Sequence, residues 1–131
     1  MDGRAAIRGG IPVCFPQFNQ RGDLPKHGFA RNLSWHVKPA RLEGDQAHLV
    51  LSLNDSAATR QWWDQAFEAL LLIELTPGAL QLELVVRNTD SKPLRFTGAL
   101  TRVLTPEAKP TVKGSQFHGP AAMEPTNPGF Y

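Results

Sequence analysis

The sequence predicts an all-β chain, and three observations carry that reading. Leu80, Leu82, Leu84 and Val86 alternate with Gln81, Glu83, Val85 and Arg87, a period of two that marks a strand with one buried face. Further short apolar stretches are each bounded by turn chemistry. Eleven prolines and eleven glycines in 131 residues punctuate the chain into many short pieces. Such a pattern favours a sandwich or barrel of antiparallel strands.

Taken in order, Trp35 to Val37 reads as a short strand that ends before Pro39, and Ala47 to Leu53 as another. Asp55 to Trp63 reads as a helical turn with Ser56 as its cap. Phe67 to Leu75 is apolar enough for a strand, and its leucines are equally compatible with a short helix. Thr76-Pro77-Gly78 then closes a hairpin, because proline presets one dihedral and glycine accepts positive φ. Asn88 to Pro93 is the next turn, and Leu94 to Leu100 returns as a further strand. From Thr105 onward the chain is proline-rich and aperiodic, so 105–131 reads as a loop-like tail.

Composition bounds the function. Hydrophobic residues make up 41% and charged residues 20%, ordinary for a globular protein with one domain and a modest core. A net charge of +2, scattered along the chain, does not suggest a nucleic-acid partner. The longest apolar run, Ala69 to Ile73, is too short to span a bilayer, and the N-terminus lacks a signal-peptide pattern. No membrane association is expected. Cys14 is alone, so no internal disulfide forms and a cytoplasmic location is expected. Between Val13 and Phe15 it reads as a small buried apolar residue. His36, His48 and His118 are too dispersed for a metal set, and neither metal nor organic cofactor is expected. Trp62 and Trp63 read as core or rim packing before any sugar-stacking role.

The most informative stretch lies near the start. Ile7-Arg8-Gly9-Gly10-Ile11-Pro12-Val13-Cys14-Phe15-Pro16 precedes Leu24-Pro25-Lys26-His27-Gly28-Phe29-Ala30-Arg31, with Trp35 following. Two arginines, a lysine and a histidine thus sit in glycine- and proline-punctuated loops. Guanidinium presents a planar fork that fits phosphate or carboxylate oxygens in pairs. The arrangement suits a small anionic ligand.

These segments resemble the hexose-6-phosphate mutarotase (glucose-6-phosphate 1-epimerase) family, where Arg-Gly-Gly-Ile-Pro, Phe-Pro, Leu-Pro-Gln-His-Gly-Phe-Ala-Arg and a Trp occur in this order. The resemblance implies the galactose-mutarotase-like β-sandwich, of which 1–131 would be a single partial domain. The family's opening strands and C-terminal half would lie outside it. It also implies a hexose 6-phosphate ligand, with Arg8, Lys26, His27 and Arg31 as substrate-binding residues. Lys26 stands where the family usually has glutamine, and His27 would line the sugar pocket. Arg8 and Arg31 are expected to converge on one phosphate.

Mutarotation needs only two proton-transfer groups: a base on the anomeric hydroxyl and an acid on the ring oxygen, exchanging roles after rotation about C1–C2. The family supplies a histidine acid and a glutamate base. Here Phe96 to Leu100 matches the approach to that histidine, but Thr101 occupies its place, and no residue matches the base. No catalytic residue is therefore assigned. The expectation is an isomerase fragment that is inactive and at best marginally stable alone. The alternative is a non-catalytic sugar-phosphate-binding β-domain. Oligomeric state is open.

Overall fold

The computed structural model describes residues 10–100 with their side chains, together with the backbone of 111–112 and 116–118. Arg8, Thr101 and most of the 105–131 tail lie outside the described residues. The strands are β1 (Val13–Cys14), β2 (His36–Val37), β3 (Arg41–Glu43), β4 (Gln46–Asn54), β5 (Phe67–Thr76), β6 (Ala79–Asn88), β7 (Ala99–Leu100), β8 (Thr111–Val112) and β9 (Gln116–His118). One short helix, α1 (Ala57–Trp62), and a 3₁₀ turn at Ala30–Asn32 are the helical pieces among the described residues. The all-β, mainly antiparallel fold class read from the sequence is the observed one.

The hairpin β5–β6 is the spine of the larger sheet. Its ten-residue strands pair antiparallel from Phe67↔Asn88 to Thr76↔Ala79, leaving Pro77–Gly78 as a two-residue loop with Gly78 at φ +84°. The ambiguity over Phe67 to Leu75 is resolved as strand. As the central strand between β4 and β6, β5 buries Phe67, Ala69 and Leu71 on one face and leaves the alternating Leu70 and Leu72 half-buried on the other. β4 pairs antiparallel with β5 from Ala47↔Leu75 to Asn54↔Glu68, and β2 and β3 line up end to end along the other side of β4.

Period-two alternation turns Phe67, Ala69 and Leu71 inward from β5, and Leu82, Leu84 and Val86 from β6. Against this face packs a second layer made of β1, β7 and the loop between Phe15 and Ala30. Phe15 stands edge-on to Phe67, Phe96 and Trp63, with ring centroids 5.1–5.7 Å apart. Phe15 and Ala30 are completely inaccessible to water. Each fully buried phenylalanine contributes about 2–3 kcal/mol of hydrophobic free energy.

The helical turn after Asp55 has the expected cap. Ser56 Oγ accepts from the Thr59 amide (3.2 Å), and Thr59 Oγ1 accepts in return from the Ser56 amide (2.8 Å). In the Asn88–Pro93 turn, Asp90 Oδ1 accepts from the Ser91 amide (2.7 Å), while Oδ2 accepts from the Ala66 amide (3.3 Å). The amides of Ala66, Lys92 and Ser91, in that order, hold the Asp90 carboxyl below its ordinary value of 3.8.

Two expectations are corrected. Leu94 to Leu100 is a strand only at Ala99–Leu100, which pairs with β1. The preceding residues bond to the early loop instead: the Thr97 amide donates to Pro16 O (3.0 Å), and Thr97 Oγ1 accepts from the Phe18 amide (3.0 Å). Within the tail read as loop, Thr111–Val112 and Gln116–His118 pair in parallel with β6. A sheet edge offers unpaired amides and carbonyls, and that opportunity overrides weak local propensity.

Candidate functional site

The segment Pro16–Phe29 is a loop closed on itself by backbone bonds. Phe15 O accepts from both the Phe29 and Ala30 amides, each at 3.1 Å. Gly28 crosses so close to Phe15 that a Cβ there would lie 2.3 Å from the Phe15 carbonyl oxygen. Only glycine fits this crossing. Inside the loop the buried Gln17 amide acts as a strut. Its Nε2 donates to Asn19 O (3.0 Å) and Leu24 O (2.9 Å), and its Oε1 accepts from the Leu24 amide (3.0 Å). Sequence reasoning passed over Gln17. The signal available for it was an amide side chain enclosed between Phe15-Pro16 and the Gly22 and Pro25 turns.

The chemistry sits where the loop turns back. Pro25 to Gly28 forms a β-turn in which the Gly28 amide donates to Pro25 O (2.8 Å). His27 occupies its third position at φ +69°, a left-handed conformation in which non-glycine residues are uncommon. Such strain persists where neighbouring contacts over-determine it, and it concentrates at functional sites. Here the contacts are explicit. The His27 amide donates to Asn19 O (3.0 Å), and His27 Nδ1 lies 3.2 Å from the Asn19 amide and 3.4 Å from Cys14 Sγ. Cys14 is buried, as expected.

Arg31 follows in the 3₁₀ turn, and its Nη2 donates to Lys26 O (3.1 Å), tying the two ends of the motif together. Burial, then Arg31, then Lys26 push the His27 imidazole below its ordinary value of 6.5. Lys26, His27 and Arg31 are therefore one electropositive cluster. Lys26 and Arg31 are exposed while His27 is half-buried, so the cluster opens to solvent. No carboxylate is among the groups that bias His27. Arg8, expected to complete this set, lies outside the described residues, as does Thr101. Among the described residues no group of three or more His, Cys, Asp or Glu is placed to hold a metal ion.

A cleft of about 420 Å³ runs along the other side of the loop, between Gln17, Arg21 and Leu24 on one wall and Trp62, Trp63 and Arg95 on the other. The cationic turn does not line it. Trp63 packs against Phe15 and Phe67, whereas Trp62 is 55% exposed at the rim. The core-or-rim reading of this pair matches their positions.

A sequence profile of the aldose 1-epimerase family matches residues 1–117. The chain belongs to the aldose 1-epimerase family. A protein of Cenchrus ciliaris named "Putative glucose-6-phosphate 1-epimerase" is 40% identical over 102 residues, covering 72% of this chain. One of the same name from Escherichia coli (strain K12) is 46% identical over 68 residues, half of this chain. The chain spans 31% and 23% of those two relatives. The crystal structure of a "putative mutarotase (YeaD)" from Salmonella typhimurium superposes with a TM-score of 0.50 at 38% identity. That match covers 55% of this chain and 25% of the solved one. The resemblance read from the early loops is thus shown at the level of family and fold.

Proposed function

We propose that this chain carries the sugar-phosphate-binding loops of a glucose-6-phosphate 1-epimerase, which interconverts the α and β anomers of a hexose 6-phosphate in the cytoplasm. The observation that carries this reading is the Pro25–Gly28 turn, which gathers Lys26, His27 and Arg31 at one solvent-open place. Family membership supports the reaction class, and the names of the relatives point to the phosphorylated substrate.

In this reading Arg31 presents its guanidinium fork, and Lys26 a mobile point charge, to the phosphate. Arg8 joins them from the Arg-Gly-Gly loop. His27 meets the sugar. The opposing positive charges raise the local concentration of a dianionic ligand and orient its ring. Ring opening then requires a base on the anomeric hydroxyl and an acid on the ring oxygen, and neither is assigned to a residue of this chain.

A non-catalytic sugar-phosphate-binding domain is the second reading. It is favoured by the lack of any carboxylate among the charges around His27 and by Thr101 at the position of the family's acid. The reading frame around this sequence separates the two: continuation into a glutamate-bearing C-terminal half marks an epimerase, and a stop after Tyr131 marks a binding domain.

The binding claim common to both is tested by NMR titration of the 131-residue chain, following the Arg31 guanidinium signals. Glucose 6-phosphate and inorganic phosphate should move them, and glucose much less. Arg31→Ala should weaken glucose 6-phosphate binding about 10- to 100-fold, the range for losing a hydrogen bond to a charged group. Unmoved Arg31 signals in saturating glucose 6-phosphate would refute the assignment.

A further inference from the structure

We infer that His27 works as a neutral hydrogen-bond donor through Nε2–H, not as the acid or base, and that Cys14 is the positioning residue that helps hold this tautomer. A neutral imidazole has one donor and one acceptor nitrogen, and the partner of one nitrogen decides the state of the other. The Asn19 backbone amide is 3.2 Å from Nδ1 and can only donate. Nδ1 is therefore the acceptor. The Cys14 thiol, 3.4 Å from the same nitrogen, can share that acceptor as a second donor.

A proton on Nδ1 would face the Asn19 N–H directly and forfeit that bond. Burial, Arg31 and Lys26 also oppose a positive ring, and no carboxylate offsets them. Both protonation at Nδ1 and the alternative tautomer are disfavoured by the same geometry. Nε2 makes no hydrogen bond among the described residues. What remains is an uncharged N–H beside two cations. Such a group recognises an oxygen acceptor, a hydroxyl or ring oxygen of the sugar, without competing for the phosphate charge. An imidazole that already holds its proton on Nε2 cannot accept another there, and as a neutral N–H it is too weak an acid to protonate a ring oxygen.

The ligand in this inference rests on the sugar-phosphate reading, but the tautomer does not, so the two are measured separately. Long-range ¹H–¹⁵N spectra of the full 131-residue chain, with ¹⁵N-histidine and no ligand, should show His27 Nδ1 as unprotonated and Nε2 as protonated at pH 7. Cys14→Ala should raise the His27 titration midpoint by roughly half a unit, as one lost hydrogen bond implies, and Cys14→Ser should restore it. On adding glucose 6-phosphate the Nε2–H signal should shift. A protonated Nδ1, an imidazolium at pH 7, or a rapidly averaging pair of tautomers would overturn the inference even if Arg31 still responds to ligand. An Nε2–H signal unmoved while Arg31 shifts would overturn the donor role. The wild-type spectra decide the tautomer even if a Cys14 variant fails to fold, and a midpoint unmoved in folded Cys14→Ala would remove Cys14 from the inference.

Discussion

The β5–β6 hairpin and the Pro16–Phe29 loop are held together by opposite means. The hairpin is local: strands adjacent in sequence pair over their whole length, and alternation sends Leu82, Leu84 and Val86 to one face. The loop is non-local and has almost no regular structure. It is closed by one carbonyl, Phe15 O, accepting two amides, by the Gln17 strut, and by a histidine forced into left-handed backbone. The hairpin is specified by repetition, so any single position is replaceable in kind. The loop is specified by individual atoms, and few substitutions are neutral there.

Glycines make the sharpest test of that contrast. Gly28 and Gly78 both have positive φ, +68° and +84°. A Cβ on Gly28 meets backbone at 2.3 Å, whereas one on Gly78 meets nothing within 4 Å. Gly28→Ala should therefore cost about 4 kcal/mol or more, displacing the Phe29 and Ala30 bonds and abolishing ligand response at Arg31. Denaturant midpoints followed by tryptophan fluorescence would measure it, since Trp63 packs on Phe15. A loss below 1 kcal/mol would show that the loop yields and the contrast is false.

Leu84→Ala, in the hairpin, should cost about 3 kcal/mol through the cavity it leaves. Unlike Gly28→Ala, it should leave the His27 tautomer unchanged in whatever fraction stays folded, as ¹⁵N spectra would report. Gly78→Ala should cost only about 1–2 kcal/mol, the strain of a left-handed L-residue with open space around it. An equal loss at Gly28 and Gly78 in the same denaturation series would erase the distinction between the two regions.

The smallest effects are electrostatic. His27 is held below its ordinary value, so the folded state prefers the neutral ring. Its contribution is present above the unfolded value of 6.5 and is lost as pH falls through the lower folded value. Asp90, also lowered, contributes above 3.8 and loses that contribution as pH falls further. Acid titration of stability should show the His27 step abolished in His27→Gln and the Asp90 step abolished in Asp90→Asn. A step that survives its own substitution would show that another group causes it.

The regions also differ in how much of each was legible beforehand. Strands β4 and β6, the Pro77–Gly78 turn and the Ser56 cap follow from patterns spanning fewer than ten residues, and they appear where those patterns place them. Lys26, His27 and Arg31 were recognisable as a motif because their spacing within one short loop is itself a local signal. Gln17, Thr97 and the Cys14–His27 contact were not. Gln17 takes its role from Asn19 and Leu24 once the irregular loop has closed, Cys14 meets His27 across that loop, and Thr97 meets Phe18 from 79 residues away. Leu94 to Gly98 misled for the same reason: an apolar segment that could pair with a strand found better partners in Pro16 and Phe18.

Sequence alone determined the strand-forming segments, the turns between them and the cationic residue types of the early loops, because side-chain alternation and backbone restriction act over a few bonds. Tertiary structure decided which nitrogen of His27 holds the proton, why position 28 admits only glycine, and where the segments after β7 pair. Those outcomes depend on hydrogen-bond partners and van der Waals distances that no local pattern encodes, and such distances exist only once the loop has closed and the sheet has formed.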